Sequence, residues 1–205
     1  ERAFRVTTAF SRIILRAGER CEADLALVDV GPNLGAINRT AMIASDGVVM
    51  PLGPDIFSLQ GLRNMGPRLR VWREEWEERK SKNPARDLPL PGGTMLPIGY
   101  TLVRYAARLR KPTVWFGKWI ARMPAAYLRD VLADQTTVPQ SVAEDPNCLG
   151  QVRDYKSLMP MAQEANKPMF LLKPADGAIG RHQTAVLDCY RDFKALSLEI
   201  ARRAS

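Results

Sequence analysis

Hydrophobic positions along this chain follow two patterns, short continuous runs and longer helical stripes. The runs 25–30 and 47–52 are almost entirely apolar, end at turns that contain Gly and Pro, and predict buried strands of a parallel sheet. Two further strands are predicted at 95–103 and 148–152. The stripes place apolar residues three or four positions apart and predict amphipathic helices. These helices span 4–20, 34–45, 56–66, 68–82, 113–122, 124–134, 158–166 and 180–203.

Strands that alternate with helices predict an α/β fold, with a mostly parallel sheet flanked by helices. The length predicts a single domain over 1–205. Because proline lacks a backbone N–H, Pro67 is expected to kink or restart its helix and Pro124 to divide two short helices. Residues 83–97, rich in Pro and Gly, predict a loop, and 168–172 an extended segment. The order begins with a helix, so we expect one or two strand–helix units to be lacking in front.

The positive charge is concentrated in one segment. The formal net charge is +8, and no acidic residue lies between Asp87 and Asp130. Basic clusters of this kind bind phosphate backbones by releasing counterions, which predicts contact with nucleic acid or another polyanion. The alternative is a solvated helical face that is balanced by acids elsewhere. The basic residues of the segment are Arg104, Arg108, Arg110, Lys111, Lys118, Arg122 and Arg129.

The cysteine and histidine content indicates which cellular compartment and which kinds of catalytic or metal site are expected. The three cysteines, Cys21, Cys148 and Cys189, are far apart and form no Cys-x-x-Cys pair. We therefore expect neither a disulfide framework nor a zinc site, and we expect the protein to lie in a reducing cytoplasm. The single histidine, His182, is not accompanied by a nucleophile-elbow motif. No apolar run approaches the roughly 20 residues that span a bilayer.

A carboxylate follows the first predicted strand. Open α/β sheets bind ligands at the carboxyl ends of their strands, which makes Asp29 a candidate for a metal or phosphate site. The alternative is that Asp29 is only a turn residue. Four tryptophans at i, i+4 spacing, Trp72 with Trp76 and Trp115 with Trp119, are expected to pack in a core rather than to form a partner surface.

Two runs resemble the ParA/MinD family of P-loop ATPases with a deviant Walker A motif. They are Leu27–Gly35, which contains Asp29 and a Gly-Pro-Asn-Leu-Gly loop, and Val48–Leu62, which has the family's spacing of prolines, leucines and glycines. A weaker match runs from Met159 to Pro168. The resemblance covers roughly 20–65 and 145–205. The central part, 66–145, matches poorly and is interpreted as a helical basic insert.

The resemblance implies a nucleotide site that uses ATP and Mg²⁺. Asp29 would hold the magnesium ion or its water shell and take part in catalysis. The loop Gly31, Pro32 and Asn33 would sense the γ-phosphate, and Pro160 with Met161 would line the base pocket. The asparagine that is common in the family's following helix is Thr40 here.

The resemblance also implies a function for the complete protein. Partition and positioning ATPases of this family form ATP-dependent homodimers, bind DNA nonspecifically and are stimulated by a ParB-like partner. The DNA-contacting surface would then include Arg104, Arg108, Arg110, Lys111, Lys118 and Arg122. The implied location is the cytoplasm, in association with the nucleoid.

The sequence contains no G-x-x-x-x-G-K-[ST] motif, and Gly117-Lys118 is its only Gly-Lys pair. We therefore expect this chain to be the C-terminal two-thirds of an ATPase domain, inactive on its own. The alternative is a non-hydrolysing interaction or regulatory module derived from the same fold. A membrane-binding relative of the MinD branch is not expected, because no bulky apolar residue follows Ile200.

Overall fold

The elements of this chain are taken from a computed structural model that describes residues 1–31, 33, 35–105, 107–108, 111–112 and 114–204, without the side chains of 104–105, 107–108, 111–112 and 114–116. The helices are α1 (Arg2–Thr7), α2 (Ala9–Cys21), α3 (Ala36–Ile43), α4 (Ile56–Ser81), α5 (Val114–Ile120), α6 (Met123–Ala126), α7 (Leu158–Ala165) and α8 (Arg181–Ala204). The strands are β1 (Gly47–Leu52), β2 (Leu96–Tyr105), β3 (Ala107–Arg108), β4 (Lys111–Pro112) and β5 (Cys148–Arg153). A π-helical turn covers Tyr127–Leu132, and 3₁₀ turns cover Met169–Leu171 and Pro174–Asp176.

The sheet confirms the predicted α/β class. Its three strands lie in the order β1-β2-β5, and β2 pairs with β5 in parallel, with Tyr100 opposite Cys148 and Val103 opposite Val152. Helices flank the sheet, as a P-loop-like α/β fold requires. The strands β3 and β4 form a short antiparallel pair that the apolar pattern did not predict.

The chain forms two compact units. The first unit comprises residues 1–48 and 64–98 together with Ala204, and the second comprises 49–63 and 99–203. In the first unit, Trp72 and Trp76 are buried, which confirms the prediction that these two pack in a core. Trp76 also donates a hydrogen bond from Nε1 to the Pro91 carbonyl at 3.0 Å, so the loop after α4 is held against this core.

The core of the second unit is built around α8. Its helical stripe was predicted from the sequence, and Val186 and Cys189 of that stripe are buried while Phe193 and Leu196 pack against the same cluster. The other buried members of the cluster come from β5, α7 and the segments around them: Val152, Tyr155, Leu158, Leu172 and Ala178.

The predicted strand over 25–30 is wrong. These residues have no strand structure, and the side chains of Leu25 and Leu27 are 44% and 78% exposed. A strand exists only where a neighbouring strand pairs its backbone groups, and none of the described strands pairs with this run. The apolar pattern therefore predicted burial that the described residues do not supply.

Two helix predictions also need correction. The helices expected at 56–66 and 68–82 form one continuous helix, α4, with Pro67 inside it. Proline removes one backbone hydrogen bond, but Leu62 and Leu69 are fully buried on either side of it, and packing of an apolar face is what stabilises most protein helices. The helix expected at 4–20 is divided at Thr8, whose Oγ1 donates to the Phe4 carbonyl at 2.9 Å.

Other predicted elements are confirmed with small shifts. Pro124 lies in the first turn of α6, where it separates two short helices as predicted. The segment 168–172 is not extended throughout, because Leu171 N donates to the Pro168 carbonyl at 2.9 Å and closes a 3₁₀ turn. Among the described helices, none combines the length and the apolar character that crossing a membrane requires.

Candidate functional site

Asp29 lies in a segment without regular secondary structure before α3, in the first unit. Its side chain is exposed, rather than placed at the tip of a buried strand as the sequence predicted. Within the described part of the chain, no hydrogen bond or ion pair engages its carboxylate. Both oxygens are therefore available to a water molecule or a cation.

The loop after Asp29 is tied to α3 by one buried side chain. Asn38, only 8% exposed, donates hydrogen bonds from Nδ2 to the carbonyls of Gly31 and Asn33 at 2.7 and 2.8 Å. Asn33 Oδ1 in turn accepts a hydrogen bond from Gly35 N at 3.0 Å, which closes a local turn just before α3 begins. Gly31 and Asn33 are thus held by the same side chain, while Pro32 lies outside the described residues.

Sequence reasoning missed Asn38. Thr40, which the resemblance singles out, only donates a hydrogen bond from Oγ1 to the Ile37 carbonyl at 2.8 Å within its own helix. The signal that could have found Asn38 is a polar residue in the first turn of a helix that follows a Gly- and Asn-rich loop. Such a side chain commonly bonds to backbone groups of the preceding loop rather than to the helix.

Asp29 suits a magnesium ion that is held mainly by phosphate and water. Magnesium keeps several waters and usually takes one or two carboxylates together with substrate phosphates. In the parts of the chain that the structure describes, no three His, Cys, Asp or Glu side chains group as a metal site. A water-mediated contact between a magnesium ion and Asp29 is compatible with the residues present.

The second run of the resemblance forms a strand–turn–helix in the second unit. Asp55 Oδ1 accepts a hydrogen bond from Ser58 N at 2.8 Å, and Ser58 Oγ accepts one from Gly53 N at 2.8 Å. The bond to Asp55 satisfies a free N–H group in the first turn of α4, which is the role of a capping residue, and the bond from Gly53 ties the preceding turn to the helix. The turn is therefore held by its own side chains, and Pro54 contributes a fixed backbone angle.

The two residues predicted for a base pocket lie at the start of α7, also in the second unit. Pro160 is exposed, and Met161 is half-buried against the cluster around Leu158. Met161 thus has a packing role that the sequence did not separate from a binding role. Whether either residue meets a nucleotide base stays a prediction.

Two of the predicted DNA-binding residues surround an aromatic ring. Lys118 Nζ lies 4.8 Å from the centroid of the Trp119 ring, and the Arg122 guanidinium carbon lies 5.3 Å from it. Both cations are exposed. Arg129, by contrast, is paired with Asp130 at 2.7 Å, so its charge is already balanced.

The other predicted DNA-binding residues belong to the segment that contains β2, β3 and β4. The backbone places Arg104 in β2, Arg108 in β3 and Lys111 in β4. Their side chains, and Arg110 altogether, lie outside the described residues. A surface formed by all six basic residues therefore stays a prediction.

Comparison with known proteins points to one broad class. The crystal structure of protein DIP2308 from Corynebacterium diphtheriae is similar to this chain, with 26% identity and a TM-score of 0.48 over 73% of this chain and 50% of that one. The chain thus spans about half the length of that protein. No curated protein matches. Residues 8–81, which include the Asp29 loop and Asn38, match a family model described as an AAA domain, and this supports a relation to the P-loop nucleoside triphosphatases.

Proposed function

We propose that the protein to which this chain belongs is a ParA-like ATPase, and that residues 29–35 form its γ-phosphate switch. The observation that carries the proposal is the attachment of this loop to α3 by Asn38, next to the unengaged carboxylate of Asp29. The family match over 8–81 covers the same residues. Binding of ATP further requires a phosphate-binding loop, which the protein must supply from a segment other than these 205 residues.

Each residue of the loop has a defined task in this proposal. A bound magnesium ion would neutralise charge that develops on the transferred phosphoryl group. Asp29 orients the water shell on the side of the loop. Asn38 fixes the carbonyls of Gly31 and Asn33, so that any movement of the loop is passed directly to α3. The loop thereby converts the presence of a γ-phosphate into a change at a helix.

We further propose that the complete protein dimerises with ATP, binds DNA nonspecifically and is stimulated by a ParB-like partner. The support is the basic segment, in which Lys118 and Arg122 lie against Trp119. Cations supply the salt-dependent contact with phosphates, and the Trp119 ring holds these two cations side by side. Arg104, Arg108, Arg110 and Lys111 would extend the same contact along the backbone.

The nucleotide part is tested by Asp29→Asn in the natural full-length protein. We expect this substitution to raise the Mg²⁺ concentration needed for half-maximal ATP hydrolysis by about 10- to 100-fold, the usual cost of losing an outer-shell metal contact. Asp24→Asn is the matched control, since Asp24 is also exposed and lies five residues earlier. An unchanged magnesium requirement in D29N would contradict the proposal. Failure of the full-length protein to bind ATP at all would favour the regulatory module.

The DNA part is tested by a salt titration. Replacing Arg108, Arg110 and Lys111 by Glu should weaken binding to duplex DNA, and each lost phosphate contact should reduce the slope of log K against log salt by about 0.9. Arg129→Gln is the control, because the Arg129 charge is already engaged by Asp130. Identical slopes for the triple variant and the unmodified protein would reject this surface.

A further inference from the structure

A cavity in the first unit lies between α3 and α4. It has a volume of about 370 Å³ and is lined by Ala36, Arg39, Arg68 and Trp72. Pockets that bind small molecules fall in the range of about 300–1,000 Å³ and combine apolar walls with a few convergent polar groups. The size and the lining of this cavity therefore suit a small ligand.

The cavity follows from the spacing of residues along α4. Arg68, Trp72, Glu75 and Arg79 lie four, three and four positions apart, which places them on one face of the helix. Arg39 reaches this face from α3. Its guanidinium lies 5.6 Å from the centre of the Trp72 ring and pairs with Glu75.

Positive charge exceeds negative charge on this face. Glu75 is shared between Arg39 and Arg79, with an Arg79–Glu75 separation of 3.7 Å. Arg68 is exposed and makes no ion pair with any residue in the described ranges. Three guanidinium groups therefore face one carboxylate, which leaves an excess of two positive charges around the cavity.

Arg39 also retains an unused donor. Its Nε atom is buried and has no hydrogen-bond partner among the residues that the structure describes. A buried N–H without a partner costs about 1–3 kcal/mol, so such atoms in a native protein need an explanation, and a bound ion or water is a common one. The atom belongs to a residue that lines the cavity, but it is itself too buried to meet a ligand there unless the side chain moves.

We propose that this cavity binds a small oxyanion, through the guanidinium groups of Arg39 and Arg68. Guanidinium groups present paired N–H donors that match the geometry of carboxylates and phosphates. Trp72 and Ala36 form an apolar wall for the remainder of the ligand. This inference goes beyond the proposed ATPase and does not depend on it, because the cavity is formed by residues other than Asp29.

The test is calorimetric titration of the full chain with two probes at low ionic strength, inorganic pyrophosphate for phosphate ligands and succinate for carboxylate ligands. At least one probe should bind, and Arg68→Gln should weaken that binding about tenfold or more, as expected for a lost charged hydrogen bond. Arg68 is exposed and without an ion pair in the described ranges, so this variant should fold. The probe that binds more tightly identifies the ligand class.

Arg16→Gln is the matched control, since Arg16 is another exposed arginine of the first unit. Asp29→Asn separates this site from the proposed nucleotide switch and should leave binding of the probes unchanged. The proposal is overturned if neither probe binds the unmodified chain. It is equally overturned if Arg68→Gln and Arg16→Gln bind the probes as tightly as the unmodified chain does.

Discussion

The first unit and the second unit differ in how fully their buried polar groups are satisfied. In the second unit, Asp145 is only 4% exposed and accepts hydrogen bonds from the Tyr100 hydroxyl at 2.7 Å and from the backbone and side-chain amides of Asn147 at 2.9 and 3.1 Å. In the first unit, arginine Nε atoms are buried without a partner among the described residues. They belong to Arg12, Arg39 and Arg73, whereas the second unit has one such atom among its described residues, the hydroxyl oxygen of the buried Tyr127.

Within the part of the chain that the structure describes, the first unit therefore holds more buried donors without a partner than the second, and such donors can engage a ligand or water. Burial, with the positive charge of Arg70 nearby, lowers the pKa of Arg73, which shows that its environment opposes the charge it carries. Retaining such groups costs stability unless a ligand or water engages them. The Asp29 loop and the arginine cavity both lie in this unit, so we expect binding of phosphates and small anions there, while the second unit carries the residues proposed to bind DNA.

Asp145→Ala should have the largest effect, because it removes three hydrogen bonds to a buried carboxylate and strands the Tyr100 hydroxyl. Burial together with the bond to Asp145 raises the pKa of Tyr100, so this tyrosine stays neutral and needs an acceptor. We expect a loss of about 4 kcal/mol in the free energy of unfolding. Urea denaturation measures it, with the exposed neighbour Glu144→Ala as the control. Equal effects of the two substitutions would show that the second unit does not depend on this network.

The two units differ in how well their buried polar groups are hydrogen-bonded, but we expect them to be packed equally tightly. Two glycine substitutions, one in each unit, test this. Gly99 has a φ of +148°, and a Cβ there would lie 2.7 Å from the Asn147 carbonyl oxygen, while a Cβ on Gly93 would overlap the Trp76 ring. We expect Gly99→Ala and Gly93→Ala each to cost about 3 kcal/mol in thermal or urea unfolding. Gly61→Ala, in an open position on α4, should instead stabilise by about 1 kcal/mol. If only one of these two substitutions lowered the free energy of unfolding, the two units would also differ in how tightly they are packed.

Asn38→Ala should have a smaller and more local effect. The carbonyls of Gly31 and Asn33 are on exposed residues and can bond to water once the Asn38 amide is removed, so we expect a loss of only about 1 kcal/mol. The loop should nevertheless exchange its amide hydrogens faster. Thr40→Ala, on the same helix, is the control and should leave exchange in the loop unchanged. A global loss of several kcal/mol would mean that this asparagine supports the core and not only the loop.

The smallest effect is a difference in thiol reactivity that leaves the fold intact. Burial raises the pKa of Cys148 and of Cys189 to about 11, and Cys189 is fully buried, whereas Cys21 of the first unit is exposed. A raised pKa leaves less thiolate at pH 8, and the thiolate is the reactive form. Labelling at pH 8 should therefore modify Cys21 roughly 100-fold faster than the other two. Peptide mapping by mass spectrometry identifies the labelled residue, and equal rates would contradict the burial of the second unit's cysteines.

The sequence predicted the elements that follow from a local hydrophobic pattern. It did not predict features that depend on packing between residues far apart in the chain. The α8 stripe, β5 and the division at Pro124 all follow from spacing within a single element. The run 25–30 was assigned to a strand because its composition is apolar, yet pairing with another strand is not encoded in the run itself. Continuity of α4 through Pro67 likewise depends on burial of residues on both sides of the proline.

The candidate sites also differ in whether their residues could be identified from local sequence pattern. Asp29 and its loop could be identified from the sequence, because the pattern of residues carries the resemblance. The role of Asn38 became visible only from its hydrogen bonds to the loop. Arg39 and Arg68 are 29 positions apart. No periodicity could join them, since their proximity results from the packing of α3 against α4.

The central claim is that residues 29–35 respond to a γ-phosphate, and hydrogen–deuterium exchange of the natural full-length protein tests it most directly. The peptides to follow cover 25–45, with nucleotide added as a non-hydrolysable ATP analogue or as ADP, each with Mg²⁺. The account predicts that the ATP analogue slows exchange in the loop and at the start of α3, that ADP does not, and that Asp29→Asn abolishes the difference. The same exchange with both nucleotides would contradict it.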